Sequence, residues 1–151
     1  MTLSANAGPS VSDFHLTLEA IRTRGWRAVL LAPRLKKPSG ARWQVTNDVN
    51  RVARHLEAGG NLGLVAHESN GVAVLDADDL LGWADMVDTL GQPAAAWTET
   101  GRGRLHYFVS WEPDLPAKLE WRGQIIGEIQ RGPGQQQVVI PPSIHPDTGR
   151  P

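Results

Sequence analysis

The stretch GVAVLDADD at 71–79 constrains this chain more than any other. Val72, Val74 and Leu75 form an apolar run of strand length and composition, which reads as a buried strand. Two carboxylates, Asp76 and Asp78, close it. Side chains two apart on a strand share a face, so both acids converge on one spot at the strand's C-terminal end. Like charges held together repel unless a cation neutralises them, and hard oxygen ligands select Mg²⁺ or Mn²⁺. The alternative is an acidic strand end running into a helix N-terminus, where an aspartate favours the dipole. Asp79 fits that capping role.

The remaining punctuation gives an α+β order, with helices early and strands late. Residues 1–10 read as a flexible leader. Ser12 is placed as an N-cap for a helix over about Asp13 to Arg24, with Gly25 as its stop. Trp26 to Ala32 reads as a strand and RLKKPSGARWQ as a basic loop. Thr46 or Asn47 caps a helix running to about Glu57. NLGLVA and GVAVLDAD are strands, and Leu80 to Leu90 is a helix closed by Gly91. AAAWTE and LHYFVSW form a hairpin around the tip TGRGR. Further strands follow, broken by Gly-Pro-Gly and by Pro141-Pro142.

Composition narrows the function classes. The 151 residues fit one compact domain, and with no cysteine there is no disulfide framework, no thiolate zinc site and no thiol nucleophile. No apolar run approaches the roughly 18 residues of a membrane span, and MTLSANAGPS lacks the basic start of a signal peptide. A cytoplasmic protein without membrane contact is expected. Charge is partitioned. Ile21 to His55 carries nine Lys or Arg and a single acid, Asp48, whereas Leu56 to Thr100 carries eight acids and no Lys or Arg. A basic block suits a polyanion and an acidic one suits divalent cations; two solvated faces are the alternative.

Four further motifs carry chemistry. In TGRGRLHYFV, Gly101 and Gly103 let backbone approach a ligand, Arg102 and Arg104 add charge, and His106 follows on the strand. That set suits phosphates; a hairpin tip with solvated arginines is the plain alternative. GEIQRG places Glu128 on a strand, where it matters only if the sheet sets it beside Asp76 and Asp78. VVIPPSIHPDTG presents Ser143 and His145 after a rigid turn. RLKKPSGARW, with Lys37, suits nucleic-acid or triphosphate contact. Trp26, Trp83, Trp97 and Trp111 read as core, Trp43 and Trp121 as stacking platforms. His15, His55 and His67 read as surface residues.

Taken in order, LKKP…W, VLDADD, TGRGRLHYF, GEIQRG and VVIPPSIHPDTGRP resemble the N-terminal domain of the prokaryotic bifunctional DNA primase/polymerases, in the archaeo-eukaryotic primase superfamily. The resemblance runs from about Trp26 to Pro151. It implies an RRM-like catalytic sheet packed with an N-terminal α/β unit, the catalytic domain spanning 11–151 as a fragment of a longer replication protein. It also implies template-dependent nucleotidyl transfer, as DNA primase and DNA polymerase, by two Mg²⁺ or Mn²⁺ ions. Asp76, Asp78 and Glu128 match the catalytic and metal-binding acids. His106 matches the nucleotide-contacting histidine, with Arg102, Arg104, Ser143, His145 and Lys37 as further nucleotide contacts. Single-stranded or primed DNA and nucleoside triphosphates are the implied partners, with a C-terminal helicase module in the full-length protein. Glu128 stands where Asp is common, and Arg104 where a small residue is common. A non-catalytic DNA- or nucleotide-binding module on the same scaffold is the alternative.

Overall fold

A computed structural model describes residues 11–38, 43–132 and 136–149. The chain divides into two compact units, Met1–Val65 with Gln137–Pro151, and Ala66–Gln136. Each has its own wholly antiparallel sheet, and helices alternate with the early strands in a mixed α/β architecture. Among the described residues no helix is long and apolar enough to cross a membrane.

The first unit contains helix α1 (Val11–Arg24), β1 (Ala28–Leu31), β2 (Val45–Thr46), α2 (Val49–Glu57), β3 (Asn61–Val65) and, after the second unit, β9 (Gln137–Ile140). Its sheet order is β2-β1-β3-β9. Val29, Leu31 and Val65 form a core against which Trp43, Val45 and Val139 pack. The start of α1 lies at Val11, so Ser12 stands inside the helix and not at its cap. Helix α2 is capped by Asp48, whose carboxylate accepts from Asn50 N and Arg51 N; Thr46 is instead part of β2, a short strand directly after the expected basic loop. The leader at 1–10 lies outside the described residues, as does Arg42 in the basic stretch.

Polar groups in this unit hold its loops. Asn61 is 1 % exposed; its amide donates to the carbonyls of Leu35 (3.1 Å) and Ile144 (2.9 Å) and its Oδ1 accepts from Ile144 N. His55 is half-buried, with Nε2 at 2.8 Å from the carbonyl oxygens of both Leu31 and Asn61. The expectation of a surface histidine at 55 is therefore corrected: the ring ties α2 to the ends of β1 and β3. His15 is exposed, and His67 is half-buried, accepting from Ser69 N through Nδ1.

The second unit runs β4 (Val72–Ala77), α3 (Leu80–Leu90), β5 (Ala96–Glu99), β6 (Leu105–Ser110), β7 (Lys118–Trp121) and β8 (Gln124–Gln130). Its sheet order is β5-β6-β4-β8-β7, which makes β4 the central strand. Ala77, Trp83, Tyr107 and Ile126 form the core between the sheet and α3, with the Trp83 and Tyr107 rings 4.7 Å apart. Burying these two large side chains contributes several kcal/mol, on the order of 2 to 3 each. Trp97 corrects its assignment to the core: it stacks on Tyr107 but stays 53 % exposed, because β5 is an edge strand.

Candidate active site

Asp76 stands at the fifth position of β4 and has a partner on each side. His106 of β6 is opposite it in one ladder and Glu128 of β8 in the other. Directly paired residues project to the same face, so His106, Asp76 and Glu128 form one row across the middle of the sheet. The row continues to Thr98 beside His106 and Lys118 beside Glu128, neither of them singled out by sequence. The ladder sets Glu128 beside Asp76, one half of the condition on which it mattered; Asp78 lies past the end of β4.

A β-bulge between β7 and β8 brings Lys118 into this row. Counted back from the Trp121–Gln124 pair, an unbroken ladder places Lys118 opposite Gly127. Instead the register shifts at Leu119/Glu120, leaving Ile126 as an extra residue and pairing Lys118 with Glu128. The shift lets Ile126 enter the core while Glu128 keeps the Asp76 face. The carbonyl of Ile126 then accepts from both Asp78 N and Asp79 N, each at 3.0 Å, and this ends β4. Asp79 caps α3 by accepting from Leu81 N and Gly82 N, as the sequence predicts. Gly127 is required at its position: a β-carbon there lies 2.3 Å from the carbonyl oxygen of Asp76.

Two acid–base pairs occupy successive steps of this face. His106 Nε2 lies 3.5 Å from Asp76 Oδ1, with side chains only 12 % and 23 % exposed. Asp76 Oδ1 and His106 Nδ1 are both buried without a hydrogen-bond partner among the described residues. Buried polar atoms are normally satisfied, and these two share their orphaned state with Gln137 Oε1 of the other unit. One step on, Arg104 donates from its terminal guanidinium nitrogen to Asp78 Oδ1 at 2.6 Å. The three carboxylates do not gather into a metal-holding cluster among the described residues. Asp78 is engaged by Arg104 instead.

The tip bearing Arg104 is tightly wound. Gly103 N donates to Thr100 O at 2.7 Å, Thr100 N donates to Arg104 O at 2.7 Å, and Gly103 takes a positive φ of 77°. Arg102 is exposed on the same turn. The other expected nucleotide contacts belong to the first unit. Ser143 is 4 % exposed, and its hydroxyl both accepts from Leu62 N (2.8 Å) and donates to Leu62 O (3.1 Å). His145 is buried and accepts from Asp147 N through Nδ1, while Lys37 is exposed. Trp43 packs into the first unit's core, and Trp121 donates from Nε1 to Asp85 at 2.5 Å.

Asp76 Oδ1 itself, a buried carboxylate oxygen without a hydrogen bond among the described residues, is the kind of hard donor that a divalent cation takes. The family described as bifunctional DNA primase/polymerase, N-terminal, has a model that matches residues 17–151. No curated protein matches the chain.

Proposed function

We propose, because this chain belongs to the Prim-Pol family of bifunctional DNA primase/polymerases, that its five-stranded sheet is an RRM-like catalytic sheet performing template-dependent nucleotidyl transfer. The observation that carries the reading is the row His106–Asp76–Glu128 on three adjacent strands, with a buried oxygen at its centre that has no hydrogen bond among the described residues. A three-residue row on three central strands is held by backbone pairing on every side, which gives the rigidity that catalytic groups need.

Asp76, Glu128 and Asp78 would hold Mg²⁺ or Mn²⁺. When bound, such ions lower the pKa of a primer hydroxyl and stabilise charge developing on the leaving pyrophosphate. The protein's own groups do the positioning. His106 presents Nε2 beside Asp76, where it donates to a phosphate oxygen of the incoming triphosphate. Arg102 and Arg104 at the glycine turn contribute fixed positive charge to the same triphosphate. The primer's 3′ oxygen attacks the α-phosphorus, the bond to the bridging oxygen breaks, and pyrophosphate departs. The basic stretch Ile21–His55, Lys37 included, contacts phosphates of single-stranded or primed DNA. The setting is a cytoplasmic replication protein in which a C-terminal helicase module accompanies this domain.

The Arg104–Asp78 pair favours a second reading, a DNA- or nucleotide-binding module without catalysis. One experiment separates the two. Primed, labelled DNA is incubated with all four dNTPs and Mn²⁺, using wild type and the Asp76→Ala/Asp78→Ala double variant. Extension by wild type alone establishes nucleotidyl transfer. Intact DNA binding with no extension by wild type sinks it in favour of the binding module.

A further inference from the structure

The contact between Arg104 and Asp78 differs in kind from the other acid–base pair of the sheet. Asp76 and His106 are largely buried and 3.5 Å apart, whereas Asp78 and Arg104 are 39 % and 48 % exposed and joined at 2.6 Å. Both backbones of the exposed pair are anchored. Asp78 N donates to Ile126 O; Arg104 N donates to Thr100 Oγ1 at 3.2 Å, and its carbonyl accepts from Thr100 N. Continuing the β4–β6 ladder by one step brings residue 104 opposite residue 78. The backbones are therefore fixed while the two side chains remain free to exchange partners with solvent.

We infer that Arg104 is a resident counter-ion for Asp78, one that yields the carboxylate to a divalent cation and transfers its guanidinium to the triphosphate of the nucleotide. The inference rests on the nucleotidyl-transfer reading and deepens it by coupling the two ligands. A solvent-exposed ion pair is weak, so a doubly charged cation and a polyphosphate together can divide it. Guanidinium matches carboxylate and phosphate geometry equally well, which suits it to exchange one for the other. Charge is conserved throughout the exchange. Before it, Arg104 neutralises Asp78; afterwards the cation does so, and Arg104 faces the phosphates that accompany the cation. Metal alone thus competes with Arg104, and nucleotide removes that competition.

The test reads binding and needs no turnover. Free Mn²⁺ is counted by its electron paramagnetic resonance signal during titration of wild type, Arg104→Gln, Asp78→Asn and the double variant, with Asp76→Asn as the site control. Arg104→Gln should bind Mn²⁺ alone about two- to five-fold more tightly than wild type. That gain should vanish in the Asp78→Asn background, as a direct pairing requires. A fluorescent dATP analogue, titrated with Ca²⁺ present, should bind Arg104→Gln roughly ten-fold more weakly than wild type. Equal or weaker Mn²⁺ binding by Arg104→Gln overturns the inference, as does a gain that survives Asp78→Asn or unchanged nucleotide affinity. Mn²⁺ binding that depends on Asp76 in any of these cases leaves the nucleotidyl-transfer reading standing. If wild type and Asp76→Asn bind Mn²⁺ equally poorly, both fall together.

Discussion

The two sheets share an antiparallel plan and differ in how they treat their central polar side chains. In and beside the four-stranded sheet, Asn61, Ser143 and His55 lie inside or half inside, and each hydrogen-bonds to backbone, with Gln137 Oε1 as a buried exception among the described residues. In the five-stranded sheet, Asp76 and His106 are just as inconveniently placed, yet each keeps a buried atom with no hydrogen bond among the described residues. Burying a polar group is costly unless it is paired. The first arrangement meets that cost with internal bonds and so contributes to stability. The second bears it unmet and is consistent with a ligand completing the set.

Three substitutions press on this contrast, and equilibrium unfolding in urea reads all of them. Asn61→Ala strips partners from two carbonyls and one N–H in a buried setting and should lower stability by about 3 kcal/mol. A loss under roughly 1 kcal/mol means that water replaces the amide and the first sheet is less tightly bound than its geometry implies. Gly127→Ala should come next, at about 2 kcal/mol, because its new carbon meets the Asp76 carbonyl and must push β4 from β8. The same variant should extend primers poorly, since the push disturbs the step that pairs Asp76 with Glu128. Asp76→Asn should change stability least, staying within about 0.5 kcal/mol of wild type or rising, while primer extension disappears. A clear loss of stability in that variant removes the distinction between the sheets.

Much of the second unit was legible because its signals are local. A cap is decided within three residues, so Asp79 and Gly91 mark the ends of α3 correctly. The β5–β6 hairpin follows from alternating strands around a glycine turn. What escaped is non-local or depends on parity. No residue near Val138 announces that β9 pairs with β3, because the partner lies far back in the chain. The bulge at Ile126 exchanges the two faces of β8, so counting from the Arg122–Gly123 turn assigns Lys118 to the wrong side. Asn61 is a single polar residue at a strand's start, and its three bonds depend on loops around 35 and 144. For the candidate site, Asp76, Glu128 and His106 were singled out by residue type and order, and backbone pairing sets them on one row. The Arg104–Asp78 contact was not foreseen, since both residues were assigned separately to phosphate and metal.

The pairing of β9 with β3 also has an entropic side. Val65 and Gln137 are partners on the same rung, and the chain between them is the whole of the second unit. As a free loop, a segment of that length resists closure by about 4 kcal/mol, from 1.5 RT ln n. Once folded, its two ends are already joined, Ala66 N donating to Gln136 O at 3.0 Å. The five-stranded sheet thus acts on the four-stranded one through chain connectivity, as a clasp that delivers the last strand to its neighbour. Loosening the clasp dilutes β9 away from β3, so the first sheet's completeness becomes a property of the second sheet's order.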